Sequence, residues 1–190
     1  MNKLYVLVGL PGSGKSTFAK DTVNHKFTIV SRDTIRFNKL NDNDRYFDKE
    51  KEVFNEFVEQ INKNLKFGHV IADATHISKA SRAKLLSRVT TECKVVIALI
   101  DVDYETALLQ NNSREGVYRV PETAIAKMRD SFEEPSFDED ERIETIMKVK
   151  PLYGVYATVA CFRDDPAAVV PFTVLPRNAK IPTKPSDLED

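Results

Sequence analysis

Gly9-Leu10-Pro11-Gly12-Ser13-Gly14-Lys15-Ser16 matches G-x-x-x-x-G-K-[ST] at every fixed position. The chemistry this spacing serves is capture of a polyphosphate. Backbone N–H groups exposed by Gly12, Ser13 and Gly14 can ring phosphate oxygens at a helix N-terminus, with Thr17 continuing the cradle. Lys15 can neutralise the β and γ phosphates, and the Ser16 hydroxyl can ligate Mg²⁺. These residues specify ATP or another nucleoside triphosphate with Mg²⁺, and no reaction yet. Three further stretches carry groups that could supply one. In Ser31-Arg32-Asp33-Thr34-Ile35-Arg36, the Asp33 carboxylate could take a proton from an attacking hydroxyl, while Arg36, one turn later, could hold an anionic substrate group. Asp33 serving only as a helix N-cap is the competing reading. Asp73 ends the apolar run Val70-Ile71-Ala72, where a Mg²⁺-water ligand is expected, with Thr75 and His76 beside it as substrate-cleft or cap residues. Asn111 to Pro121 is polar and contains Gly116. It reads as a mobile lid whose Arg114 or Arg119 reaches the transferring phosphoryl group, or as a solvated loop.

Positioning these groups requires strand ends that open on one crevice. Lys3 to Val8 is β-prone and runs into the glycine loop, after which Thr17 to Asn24 reads as a helix. Phe27–Val30, Val70–Ala72, Val95–Ile100 and Glu144–Val149 read as further strands. Between them, Tyr46 to Phe67 carries Val53, Phe54, Phe57, Val58, Ile61 and Leu65 at helical spacing. Ser78 to Val89 and Tyr104 to Gln110 also read as helices, and Pro121 as the first-turn proline of another. The alternation predicts an α/β fold: a doubly wound, mostly parallel five-stranded sheet with helices on both faces and ligands at the carboxyl ends of the strands. Six of the nine prolines fall from Pro151 onward, so residues 1–150 form the expected domain and 151–190 a proline-rich appendage, partly β or extended. Within it Tyr153 to Cys161 alternates like a strand, Phe172 to Leu175 could be another, and the Lys/Pro tail is expected to fray.

Composition narrows the function classes. With 42% hydrophobic and 30% charged residues, the chain is typical of globular proteins and unlike disordered or fibrous ones. Cys93 and Cys161 lack CxxC partners, and His25, His69 and His76 lack metal-ligand spacing, so neither a disulfide framework nor a zinc site is indicated. The apolar run Tyr5–Val8 is too short for a membrane span or a signal core, so a cytoplasmic protein with no membrane partner is expected. A net charge of −1 gives no global attraction to nucleic acid, so any polyanion site must be local. The acidic run Glu133–Glu134 and Asp138–Glu141 reads as a solvated loop.

Gly9 to Thr17, Arg32-Asp33-x-x-Arg36, Asp73-Ala74-Thr75-His76 and Asn112-Ser113-Arg114 with Val120-Pro121 together resemble the P-loop polynucleotide 5′-hydroxyl kinases. These are the kinase half of phage and bacterial end-healing enzymes, within a wider group of small Zeta-toxin-like kinases. The likeness covers roughly Met1 to Val149. It implies an ATP- and Mg²⁺-dependent phosphotransferase acting on DNA or RNA in the cytoplasm, that of the host if the chain is phage-encoded. It also implies Asp33 as general base, Arg36 on the adjacent phosphate, and Lys15 with a lid arginine on the transferring group. Where such lids carry Arg-Asn-x-x-Arg, this chain has Asn111 and Glu115, leaving the work to Arg114 or Arg119. Arg114 is the expected one, because Pro121 restrains Arg119. The D-x-D-G-T phosphatase signature is absent from the sequence. The same parts serve kinases of hydroxymethylated pyrimidines in phage DNA, of tRNA and of small molecules, and an ATPase switch is the reading from another class. Oligomeric state leaves no mark on the sequence.

Overall fold

The computed structural model describes residues 1–22, 26–152, 155–165 and 170–176. Short apolar runs become the strands β1 (Lys3–Val8), β2 (Phe27–Ser31), β3 (His69–Asp73), β4 (Lys94–Ile100) and β5 (Ile143–Leu152), all mutually parallel where they pair. Two antiparallel strands, β6 (Val155–Phe162) and β7 (Val170–Pro176), extend the sheet to the order β2-β3-β1-β4-β5-β6-β7. The expected five parallel strands are present, but among the described residues the sheet has seven strands. The stretch read as an appendage supplies the other two, because β5 continues through Pro151 into a strand that pairs back along it from Thr145 to Leu152. Residue 150 lies inside β5. Tyr153 and the tail 177–190 fall outside the described residues.

The chain leaves β1 toward β2 and β3 on one side and crosses to β4 on the other, so the crevice opens at the carboxyl end of β1. Alternation along β1 sends Leu4, Val6 and Val8 to one face and Tyr5 and Leu7 to the other, both fully covered. On the first face, α3 (Glu50–Leu65) buries Val53, Phe54, Phe57, Val58, Ile61 and Leu65, and α4 (Lys79–Leu86) adds Leu85 and Leu86. On the second, α1 (Lys15–Thr22) packs Phe18 and Ala19 against the sheet, where β6 adds Tyr156, Ala160 and Phe162. The long helix expected from residue 46 begins at Glu50; residues 46–49 form a turn instead, which leaves Tyr46 and Phe47 beside the crevice. The remaining helices are α2 (Arg32–Lys39), α5 (Tyr104–Asn112) and α6 (Glu122–Asp130), the last preceded by Pro121 as N-cap. Among the described residues no helix is long and apolar enough to cross a membrane.

Candidate active site

The glycine loop turns from β1 into α1 with Gly12 and Gly14 at φ 85° and 92°, in the left-handed region that favours glycine. Gly12 is also a point of contact. A Cβ there would stand 2.1 Å from the Ala107 carbonyl oxygen, so α5 rests directly on the loop. Lys15 is buried and donates to Leu10 O at 2.6 Å and Ser13 Oγ at 3.4 Å. Burial pulls its pKa down to about 8, Asp73 and Asp33 opposing and Arg114 adding to the shift. Ser16 Oγ donates to Asp73 Oδ2 at 2.7 Å, bringing the end of β3 onto the first turn of α1. Burial raises the Asp73 pKa against the Ser16 hydrogen bond and the Lys15 charge.

Ser31, not Asp33, caps α2: its Oγ accepts from Thr34 N at 3.4 Å. Asp33 is therefore free of capping duty in the first turn, with its side chain 49% exposed on the cleft. Its Oδ1 accepts from Arg36 Nη1 and, at 3.0 Å, from Tyr46 OH. Arg36 is 5% exposed and wedged among three oxygen-bearing side chains. Nη2 donates to both Glu50 oxygens at 2.7 and 3.1 Å, Nη1 also reaches Tyr46 OH at 3.2 Å, and Nε has no partner. Burial works against the Arg36 charge, but Tyr46, Glu50 and Asp33 outweigh it and hold the pKa above its ordinary value. Tyr46 is shifted upward too, by burial first and then by the Asp33 charge. Arg32 joins Glu50 at 3.3 Å. The cleft is lined by four cations (Lys15, Arg32, Arg36, Arg114) and three carboxylates (Asp33, Glu50, Asp73), so a bound polyphosphate meets local positive charge.

The loop between α5 and α6 is tied at its base. Asn111, fully buried, accepts from Val120 N at 3.0 Å and donates to Val120 O at 2.9 Å. Arg114 lines both the cleft and an adjoining recess that share Ser16, Asp33 and Asp73. Arg119 lines neither and pairs with Glu122 at 3.2 Å, half-exposed.

A family model described as an AAA domain, AAA_33, matches residues 4–135, well over half the chain. The chain belongs to this AAA domain family. Its fold is that of the P-loop kinases, and the family implies a nucleotide such as ATP at the loop. A protein of Autographa californica nuclear polyhedrosis virus, named as a bifunctional polynucleotide kinase/RNA ligase, is 30% identical over 148 residues, covering 68% of this chain and 21% of that protein. The structure of a Pnkp1/Rnl/Hen1 RNA repair complex contains a chain 25% identical with a TM-score of 0.57, covering 68% of this chain and 43% of that one. A sugar kinase from Janibacter sp. shares the fold at 16% identity and a TM-score of 0.55, over 79% of this chain and 86% of that one. The AAA domain thus spans about a fifth of the viral relative and under half of the repair-complex chain.

Within this AAA domain the cleft gathers Gly12, Gly14, Lys15, Ser16, Thr17, Asp33, Arg36, Asp73, Thr75 and Arg114. Ser13 is buried under Lys15. His76, expected at the substrate, is instead 4% exposed behind β1: its Nδ1 lies 2.8 Å from Leu7 O, and burial drives its pKa down to about 3. Arg119, also expected at the substrate, is held at the start of α6. Sequence reasoning missed Tyr46 and Glu50, which complete the Asp33–Arg36 network. The signal for Glu50 was its place opening an apolar helix one turn before Val53 and Phe54; Tyr46 had been absorbed into that helix. The acidic run is solvated in part: Glu133, Glu134, Asp138 and Glu141 are exposed, but the Glu139 side chain is buried against Arg82 and the half-buried Asp140 pairs with Arg142.

Proposed function

We propose that the domain transfers the γ-phosphate of ATP to a hydroxyl on a nucleic acid, the 5′ end of DNA or RNA foremost. The observation that carries this is Asp33: one carboxylate oxygen is held by Arg36 and Tyr46, and the half-exposed group faces the cleft that also contains the phosphate loop. A carboxylate so fixed can accept the acceptor proton as the new P–O bond forms and the bond to ADP breaks. Water attack in a switch protein needs no such anchored carboxylate with room beside it. Polynucleotide kinases among the similar proteins support the nucleic-acid acceptor.

Lys15 neutralises the β and γ phosphates, and Arg114 meets the charge that builds on the transferring group. Arg36 acts by orienting Asp33, since both its terminal nitrogens are engaged and its Nε is buried away from the cleft mouth. Ser16 Oγ and the Asp73 carboxylate form a pair of hard oxygens at the phosphate end of the cleft, a donor set that suits Mg²⁺ sharing its shell with phosphates and water. Bound there, Mg²⁺ supplies charge neutralisation at the β and γ oxygens.

The test is transfer of labelled γ-phosphate to 5′-hydroxyl DNA, 5′-hydroxyl RNA, hydroxymethylated duplex DNA, nucleosides, sugars and no acceptor. Labelled 5′ ends are expected, and Asp33→Asn should lower the single-turnover rate at least about 10²-fold with ATP affinity nearly unchanged. Phosphate appearing only in water or only on a sugar refutes the assignment.

A further inference from the structure

Four aromatic rings stand in a row outside both hydrophobic cores. Tyr118 of the lid meets Phe37 of α2 at 4.6 Å between centroids, Phe37 meets Tyr46 at 6.1 Å, and Tyr46 meets Phe47 at 4.7 Å. The ends of the row are open: Phe47 is 39% and Tyr118 57% exposed, among the few large apolar side chains the described surface leaves uncovered. The middle of the row lies on the catalytic candidates. The Arg36 guanidinium sits 4.5 Å from the Tyr46 ring centroid and 5.8 Å from that of Phe47, and Tyr46 OH touches Asp33. Phe47 lines the phosphate cleft, while Phe37 and Tyr118 line the recess on the other side of Asp33. Arg45, next in sequence to Tyr46, is exposed and has no ion-pair partner among the described residues.

We infer that this row is a stacking subsite for unpaired bases at the acceptor end, with Phe47 and Tyr118 offering the free ring faces. The inference rests on the nucleic-acid reading above and deepens it. Aromatic rings exposed beside a cation-lined cleft are the pairing that single strands use: cations track the backbone while ring faces take bases of any identity. The rings pack on one another, so their orientation is set before an acceptor arrives and little rotamer freedom is lost on binding. The subsite therefore favours unpaired over duplex ends and is indifferent to base sequence. A sugar lacking a base gains nothing from it.

The experiment compares 5′-hydroxyl oligonucleotides that carry a base, or an abasic residue, at the first and second positions. Wild-type protein should favour the base-bearing acceptor about tenfold in kcat/KM, through the acceptor KM, with the ATP KM unmoved. Phe47→Ala and Tyr118→Ala should each shrink that preference, Phe47→Tyr should restore it, and Phe47→Leu, which keeps apolar bulk without a π face, should not. Equal use of both acceptors by the wild type overturns the subsite while leaving the kinase reading intact. If no oligonucleotide is phosphorylated, the acceptor reading falls. The subsite is then read separately, by quenching of a terminal 2-aminopurine on binding; no quenching overturns it too.

Discussion

Two buried arginines, Arg82 and Arg36, show how the same group serves a scaffold and a site. Arg82 is fully buried, and its guanidinium forks onto a carboxylate that is itself covered, Glu139, at 2.6 and 2.7 Å. Its remaining donors go to His76 O at 3.0 Å and Glu133 O at 2.9 Å. It thereby pins the β3–α4 turn to the segment leading into β5. Arg36 is nearly as buried, but its charge is divided among Asp33, Glu50 and Tyr46, one nitrogen is unpartnered, and Asp33 opens to the cleft. A saturated pair gives rigidity; an unsaturated, shared one keeps a carboxylate aimed and reachable.

The largest expected effect tests the scaffold. Arg82→Met leaves Glu139 buried without its partner and should cost about 3–5 kcal/mol in denaturant unfolding, with transfer per folded molecule preserved. Arg36→Met should do the reverse, costing about 1 kcal/mol because Asp33 and Glu50 can rehydrate, while transfer collapses. Similar stability losses in both variants would erase the distinction. A smaller effect separates the lid arginines: Arg114→Ala should lower kcat about tenfold or more under single-turnover conditions with ATP binding kept, and Arg119→Ala should change it little. The reverse order would make the cleft-facing position of Arg114 irrelevant. The smallest is a pH effect at Lys15. As pH rises through about 8, the free protein loses the Lys15 charge, so ATP affinity should fall by up to about tenfold per unit relative to Lys15→Met. Stability should move the other way. Between about 8 and the ordinary lysine value the unfolded chain binds the proton more tightly, so the wild type gains stability against Lys15→Met as pH rises.

What could be read from sequence followed from short range. The glycine loop, the strand before it and the helix after it are contiguous, so spacing alone carried them into the cleft; the helix read from Ser78 and the one placed at Pro121 are equally local. The α/β class followed from strand and helix alternation, since covered strands must be apolar throughout. Partnerships across the chain were invisible. Arg82 and Glu139 are 57 residues apart, and nothing in a row of acidic residues says which one will be swallowed by the fold. His76 stood beside site residues in sequence, yet with φ at 41° it turns away behind β1. The prolines after residue 150 suggested a break, but Pro151 sits in β5 opposite Tyr156, and only the pairing shows that the sheet continues.

The Asn111 clip closes the lid loop into a ring whose two ends are held by one side chain on one residue's backbone. Because closure is completed at that base, the stretch from Ser113 to Arg119, between α5 and α6, can change length without moving either helix. Doubling a flexible loop costs only about 0.6 kcal/mol in closure entropy. The lid is thus an exchangeable cassette, where inserted or deleted residues retune what reaches the cleft mouth at small expense to folding. Gly12 stands at the other extreme of tolerance. Pressed against Ala107 on the same helix, it admits no side chain at all. One helix therefore joins a loop tolerant of changes in length to a glycine that tolerates no side chain.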